Sequence, residues 1–366
     1  MHEPRRELDY TLVTVVALLL GIGIVMVYSS SSAVAQVDYQ NPYYFLQRQA
    51  LFALVGMGVM LLISRIPPWF WQQHARTIML AALVLLVLVI IPGVGIYRLG
   101  ARRWLGAGPL QFQPSEVAKF AFVIFLSTYL DRTGREISSF WRGLFPALMA
   151  LGLVFGLIMM EPDLGTSLTL GGTAFLMLFS AGAQLGHLAM LAGLGAVGVF
   201  ILARIDPERW SRITTYLNPW SDPTDSGYQI IQALLAFGSG GLFGVGLGRS
   251  RQKWFYLPER HTDMIFAVLG EEMGFIGAVL VLLLFAAFAW RGYRIAIQAP
   301  DRFTSLLAAG VTSLITLQAA MNIAVVTASI PSTGIPLPLL SYGGSSLIIT
   351  LAGVGILLGV SRYSRI

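Results

Sequence analysis

The chain is dominated by apolar runs long enough to cross a bilayer, and their length constrains almost everything else it can form. A helix of about 20 apolar residues spans the hydrocarbon core. Runs of that order occur near 10–29, 45–64, 77–96, 115–130, 143–160, 164–182, 186–203, 264–290, 303–328 and 343–361. Every backbone N–H and C=O at that depth needs an internal partner, so helices are the solution for such runs. The expectation is an all-α polytopic membrane protein of about ten transmembrane helices. It forms a single integral membrane domain over 1–366, with a long extracytoplasmic loop, 204–263, before the eighth span. Only 11% of the 366 residues are charged, against about 25% in a soluble domain. The net charge of +6 rests almost wholly on arginine; no basic soluble face for nucleic acid is present, and anionic lipid is the partner it suits. Without cysteine there is no disulfide framework, thiol nucleophile or thiolate metal site.

The first run follows Arg5 and Arg6 and precedes Ala33-Val34-Ala35, as a signal peptide would. It exceeds the roughly 7–15 residues of a signal core, so it reads as an uncleaved span. Arginines orient the rest. With the N-terminus cytoplasmic, Arg5, Arg6, Arg65, Arg76, Arg132, Arg135, Arg142, Arg291, Arg294, Arg302, Arg362 and Arg365 fall inside, and the outer loops near 30–44 and 329–342 hold none. Basic residues on the outer side gather in 98–119 and 204–263 and require a local reason. The stretch Tyr228–Gly248 is long enough to span, but Gln229, Gln232 and its glycines suit an interfacial or re-entrant segment better.

Charged groups set against apolar runs are the candidate chemistry. In "RLGARRWLGAGPLQFQPSEVAKF", Pro114 opens a helix and Glu116 and Lys119 share a face; an ion pair at a helix entrance and a functional pair fit equally. Arg102 and Arg103 just before them suit a lipid phosphate or the interface. "MMEPDLGTSL" places Glu161 and Asp163 in an outer turn, which turn chemistry alone explains. "IPSTGIPLPLLSYGGSSLI" cannot be continuous helix and must be buried in protein or line a cavity. In "WFYLPERHTDMIFAVLGEEMGF", Asp263 stands at the mouth of an apolar run, where it fits a general base or a helix cap. Glu271 and Glu272 lie about 12 Å deeper and need an interior, a polar cavity or a cation partner. Glu259, His261 and Asp263 lack a paired-histidine motif, so no protein metal site is assigned; a loosely held divalent cation beside a pyrophosphate stays open.

Across nearly the whole chain, "GARRWL", "QPSEVAK", "EPDLGTSL", "NPWSDPTDSGYQIIQALLAFGSGGLFGVGLGRSRQKWFYLPERHTD" and "TGIPLPLLSYGGSSL" resemble the SEDS family of cell-wall polymerases, the family of FtsW, RodA and SpoVE. "VMVYSSSS" and "SRQKWFYLPERHTD" look more like its division and sporulation branch than its elongation branch, which is the alternative. The resemblance implies ten helical spans in the bacterial cytoplasmic membrane and both termini inside. It also implies polymerisation of lipid II, with undecaprenyl pyrophosphate leaving, beside a class B penicillin-binding protein and other divisome or elongasome membrane proteins. Asp263 matches the family's proposed catalytic aspartate, and Glu116 and Lys119 its cavity pair. Met264 departs from the aromatic residue often found there. Some of Arg102, Arg103, Lys119, Arg249, Arg251, Lys253 and Arg260 would then face the diphosphate, and Trp104, Asp163, His261 and Ser341 complete the implied substrate-binding set. The rival classes are a lipid II flippase, which would spread ionisable groups toward the midplane, and a scaffold without a base.

The arginine asymmetry makes a direct prediction. In the naturally cysteine-free chain, a cysteine replacing Ser221 should react with an impermeant thiol reagent from the outside only; labelling from the cytoplasmic side alone would invert the topology.

Overall fold

Aspartates and prolines set where the helices begin. The structure, a computed structural model, describes residues 8–364 except 99, 108, 109, 225, 226, 255 and 256. Arg5, Arg6 and Arg365, used in the topology argument, lie outside the described residues. The helices are α1 (Tyr10–Tyr39), α2 (Tyr44–Ile63), α3 (Pro68–Ile90), α4 (Pro114–Thr133), α5 (Phe145–Met160), α6 (Leu164–Ser180), α7 (Leu185–Ile205), α8 (Pro207–Leu217), α9 (Tyr228–Gly240), α10 (Ile265–Ile297), α11 (Arg302–Val326) and α12 (Gly344–Ser361). The Asp9, Asp163 and Asp301 carboxylates accept the N–H groups of Leu12, Thr166 and Thr304 and so cap α1, α6 and α11. Pro68 and Pro114 open α3 and α4, where a missing N–H is harmless.

Among the described residues, eight helices are long and apolar enough to cross a membrane. Helix α6 is shorter, at 17 residues, and α4 carries Glu116, Lys119, Asp131 and Arg132. By that measure the count is eight; α4 and α6 nevertheless pack inside the bundle, whose centre is α11, in contact with α4, α6, α10 and α12. Helix α7 is the outlier: it buries only Leu188 and Ala203 and meets the bundle along α6. On the side of the chain termini, Arg291 on α10 donates to Asp9 at 3.2 and 2.5 Å and ties α1 to α10.

A small sheet qualifies the all-α expectation. Strands β1 (Ile96–Arg98), β2 (Ala101–Ala107) and β3 (Leu110–Phe112) pair antiparallel in the order β1-β2-β3. The apolar run near 77–96 stops being helix at Ile90, because Pro92 and Gly93 follow at once. The strands deliver Arg102, Arg103 and Trp104 to the entrance of α4.

Helix α10 is not continuous. Gly274 sits at φ 66°, ψ −167° and interrupts it, and the turn after α9 is laid across the gap. Val245 and Gly246 donate to the carbonyls of Glu271 and Glu272, both at 3.0 Å, while Phe275 and Ile276 donate to Gly241 at 2.9 Å and Leu242 at 3.1 Å. The backbone groups freed by the break are thereby satisfied within the protein, as membrane depth requires. The 228–248 stretch, read as interfacial or re-entrant, forms a short helix and a turn packed on α10. Irregular backbone also fills 327–343, between α11 and α12.

A Cβ at position 274 would run into the backbone of Leu242 and Gly244 and would have to hold a left-handed conformation. Gly274→Ala is therefore expected to destabilise by ~1–3 kcal/mol. Gly198→Ala, where nothing lies within reach of the new methyl, should leave the thermal midpoint in detergent unchanged or raised. Equal midpoints for the two variants would show that the break bears no load.

Candidate active site

Three polypeptide carbonyls in a row fix the loop that carries Asp263. The Tyr342 N–H donates to His261 O at 2.8 Å, Ser341 Oγ donates to Thr262 O at 2.6 Å, and Asn322 Nδ2 donates to Asp263 O at 2.8 Å. The same Asn322 nitrogen also donates to Ile335 O at 2.8 Å, so one amide on α11 holds the Asp263 loop and the 327–343 segment together. Ser341 Oγ in turn accepts from Leu337 N at 2.8 Å. The backbone is pinned, yet the Asp263 carboxylate has no hydrogen-bond partner among the described residues. It does not cap α10 either: the N-cap position is Met264 and no side chain caps it. The backbone of Gly334 passes beside it: a Cβ there would stand 3.7 Å from Oδ2.

The electrostatics favour a neutral-range carboxyl. Burial pushes Asp263 up to about 7, repulsion from Glu259 and Asp163 adds to the shift, and Arg103 and Arg212 oppose it. Glu161, fully buried, is pushed up to about 9, by burial first and by Asp163 second, with Arg103 opposing. Among the described residues neither Glu161 oxygen has a hydrogen-bond partner. Asp163 instead is engaged as an acceptor: it takes Thr166 N at 3.0 Å, Thr166 Oγ1 at 2.8 Å and Gln113 Nε2 at 3.2 Å.

The remaining sequence candidates divide into three groups. Arg103 donates to Glu161 O at 2.8 Å and Pro162 O at 2.6 Å, joining the sheet to the start of α6; Arg102 lies over the Tyr97 ring, and Trp104 pairs with Ile96. Glu116 and Lys119 form a buried pair at 2.8 Å. Lys119 also donates to Gln318 Oε1 at 2.6 Å, and Glu116 accepts from Ser346 at 3.0 Å. Gln318 Nε2 donates onward to Pro336 O at 3.1 Å, so the pair sits one helical turn from Asn322 on α11. His261 is packed between Phe45 and Tyr342, with burial holding its imidazole below the usual range, and Arg260 is buried against Leu257 O.

Arg249 and Lys253 lie elsewhere. Lys253 is buried and engaged: its amine reaches Glu272 at 3.3 Å, Gly248 O at 2.6 Å and Ser29 Oγ at 3.4 Å. Glu272 also accepts from Ser29 Oγ and from Ser250 N, while Glu271 takes Ser250 Oγ, Arg251 N at 2.8 Å and Gln252 N at 3.3 Å. The two glutamates deep in the apolar run thus grip the segment that leads to Asp263. Among the described residues no three His, Asp or Glu side chains are arranged to hold a metal ion.

Sequence reasoning passed over Arg212, Asn322, Gln318 and Gln113. Gln318 and Asn322 did leave a signal, two amides four residues apart inside an apolar run. Arg212 left little, being one of several basic residues in a long loop.

The family model described as cell cycle protein, for FtsW, RodA and SpoVE, matches residues 10–366. Stage V sporulation protein E of Bacillus subtilis is 50% identical over 98% of both chains. The probable peptidoglycan glycosyltransferase FtsW of Geobacter metallireducens is 42% identical over 98% of this chain and 95% of its own. A chain from a peptidoglycan synthase complex, solved for the structural coordination of polymerization and crosslinking, superposes with a TM-score of 0.81 at 33% identity, covering 98% of each chain. The rod shape determining protein RodA of Thermus thermophilus gives 0.73 at 32%, again over 98% of each.

The shared Lys119–Glu116 interaction predicts non-additivity. Lys119→Met should destabilise by ~3 kcal/mol or more, because it leaves a buried carboxylate short of its cation. Glu116→Gln with Lys119→Met should lose less than the two singles summed, by ~0.5–3 kcal/mol in thermal or denaturant unfolding. Strict additivity would mean the pair is not coupled.

Proposed function

The chain belongs to the cell cycle protein family of FtsW, RodA and SpoVE, and from that premise we propose that it polymerises lipid II with Asp263 as general base. It is a multi-pass membrane enzyme, a peptidoglycan glycosyltransferase. The observation that carries the assignment of the base is the contrast at Asp263: three successive backbone carbonyls clamped, the carboxylate unbonded and partly open. A base must be held still and left free to accept a proton, and its pKa should lie near the working pH.

In the reaction the 4-hydroxyl of one disaccharide attacks the anomeric carbon of another. The new glycosidic bond forms as the bond to the diphosphate breaks, with inversion, and Asp263 takes the hydroxyl proton. Undecaprenyl pyrophosphate leaves as an anion and needs cations more than a second acid. Arg103 and Arg212 supply the positive field felt at Asp263; Arg102 and Trp104 flank Arg103 on β2, and Arg260 lies three residues before Asp263 in the chain. Lys119 and Glu116 hold Gln318, and through it the Pro336 segment, in register with Asn322. Asp163 orients Gln113 and the first turn of α6, and Ser341 and His261 fix the loop.

The division and sporulation branch is favoured by identity: 42–50% to FtsW and SpoVE relatives against 32% to RodA. Counting α4 and α6 as spans gives the ten expected, with both termini in the cytoplasm and the 204–263 loop outside the cytoplasmic membrane. The likeness to a chain of a synthase complex that couples polymerization and crosslinking supports a transpeptidase partner, a class B penicillin-binding protein.

Asp263→Asn keeps the size of the side chain but cannot accept the proton. Polymerisation of labelled lipid II in detergent should fall about 100-fold to 10,000-fold while the folded protein still binds its substrate. Asp263→Glu should also be poor, since a methylene displaces the carboxylate. In the native enzyme, protonating a base of pKa about 7 removes it, so turnover should fall about tenfold per unit below pH 7 and level off above it. A flat profile from pH 5 to 8, or near-normal turnover in the asparagine variant, would move the base elsewhere.

A further inference from the structure

A cavity of about 510 Å³ opens between the outer part of α1 and the 247–254 segment. Helix α1 lends it one face, Val25, Ser29, Ser32 and Gln36, and the opposite wall carries Leu247, Lys253 and Trp254. Over the ~16 Å from Val25 to Gln36 the lining changes from apolar to polar. Helix α1 has 30 residues, about 45 Å of length against a hydrocarbon core of about 30 Å. Its last turns therefore emerge from the bilayer, and the cleft crosses the interface with its apolar end toward the acyl chains. Trp254 and Leu247 are exposed beside it, an amphipathic ring and an aliphatic chain at that level.

Among the described residues, the exposed cations of the same segment have no carboxylate partner. Arg249 and Arg251 are exposed, and their guanidinium groups make no bond with the described residues. The carboxylates that contact this segment, Glu271 and Glu272, are buried and already occupied by Lys253, two serines and backbone N–H groups, and the Glu259 carboxylate accepts from Thr262 Oγ1. The charges that act on the Asp263 carboxyl are Glu259, Asp163, Arg103 and Arg212, and neither of these arginines is among them. Two free cations above an apolar-footed cleft, on the side of the membrane where short loops avoid arginine, call for an anion brought by the membrane.

We propose that the cleft between α1 and the 247–254 segment binds an anionic phospholipid of the outer leaflet, its phosphate at Arg249 and Arg251 and its acyl chain along Val25 and Leu247. The bound lipid lies against Ser29 and Lys253, the groups that hold Glu272, and so braces the segment leading to the Asp263 loop. The inference uses the outside placement of that segment, which the Ser221 cysteine tests separately, and none of the chemistry at Asp263.

The test uses the full chain in nanodiscs, with a fluorophore on a cysteine replacing Gln36. Headgroup-spin-labelled phosphatidylglycerol should quench it at roughly tenfold lower mole fraction than spin-labelled phosphatidylcholine, and Arg249→Gln with Arg251→Gln should bring the two lipids near parity. Ser32→Phe, or Ser32→Gln if that chain does not fold, should fill the cleft and abolish the preference with both arginines intact. Equal quenching by the two lipids overturns the proposal. So does a preference that survives the filled cleft, which would mark a diffuse surface field, and so does displacement of phosphatidylglycerol by equimolar undecaprenyl pyrophosphate, which would assign the cleft to substrate or product.

Discussion

One side-chain amide carries the two loops on which the site depends. Asn322 gives one proton to Asp263 O and the other to Ile335 O, and it does so from α11, the helix at the centre of the bundle. Neither loop has a ladder of its own; each is irregular backbone beside membrane helices, where an unmatched carbonyl costs several kcal/mol. The most central helix thus serves as the reference frame for the least regular segments. Gln318, one turn along the same helix, repeats the device for Pro336, and it is itself set by the Lys119–Glu116 pair. A chain of contacts runs from a buried ion pair on α4 through α11 to the loop of the catalytic candidate without any of these groups touching the carboxylate.

The glutamates at 271 and 272 answer to the same constraint in a different way. A helix broken at Gly274 exposes carbonyls and N–H groups that lipid cannot satisfy, and the turn 241–246 covers them. The segment that follows must then return over the outside of α10. Two adjacent carboxylates, one facing three donors of the 250–252 turn and the other facing Lys253 and Ser29, hold it there. Charge inside an apolar run is here a structural answer to non-helical backbone.

Much of this was legible in the chain. The bilayer demands a fixed length of apolar helix, so the runs announce themselves, and Pro114, Asp163 and the proline-rich 331–338 stretch mark entrances and breaks. Asp263 and the Glu116–Lys119 pair stood out because charge beside an apolar run is rare. What could not be read were pairings set by tertiary closure. Lys253 meets Glu272 and Ser29, residues from three distant parts of the chain, only because α10 breaks where it does. The strands at 96–112 were hidden inside what looked like the tail of an apolar run. Asn322 and Gln318 were visible as polar residues in a span, but their partners are carbonyls, which have no letter in the sequence.

The splinted break in α10 changes how force travels through the molecule. The inner part of the helix ends on Gly241 and Leu242, and the outer part ends on Val245 and Gly246, so the two halves are joined mechanically through the turn as much as through their own axis. A bilayer thinner or thicker than the inner half makes that half tilt, and the tilt is delivered first to the turn and then along the chain toward Asp263. Any displacement of the inner half therefore reaches the outer half, and the Asp263 loop before it, through the 241–246 turn as well as along the helix axis.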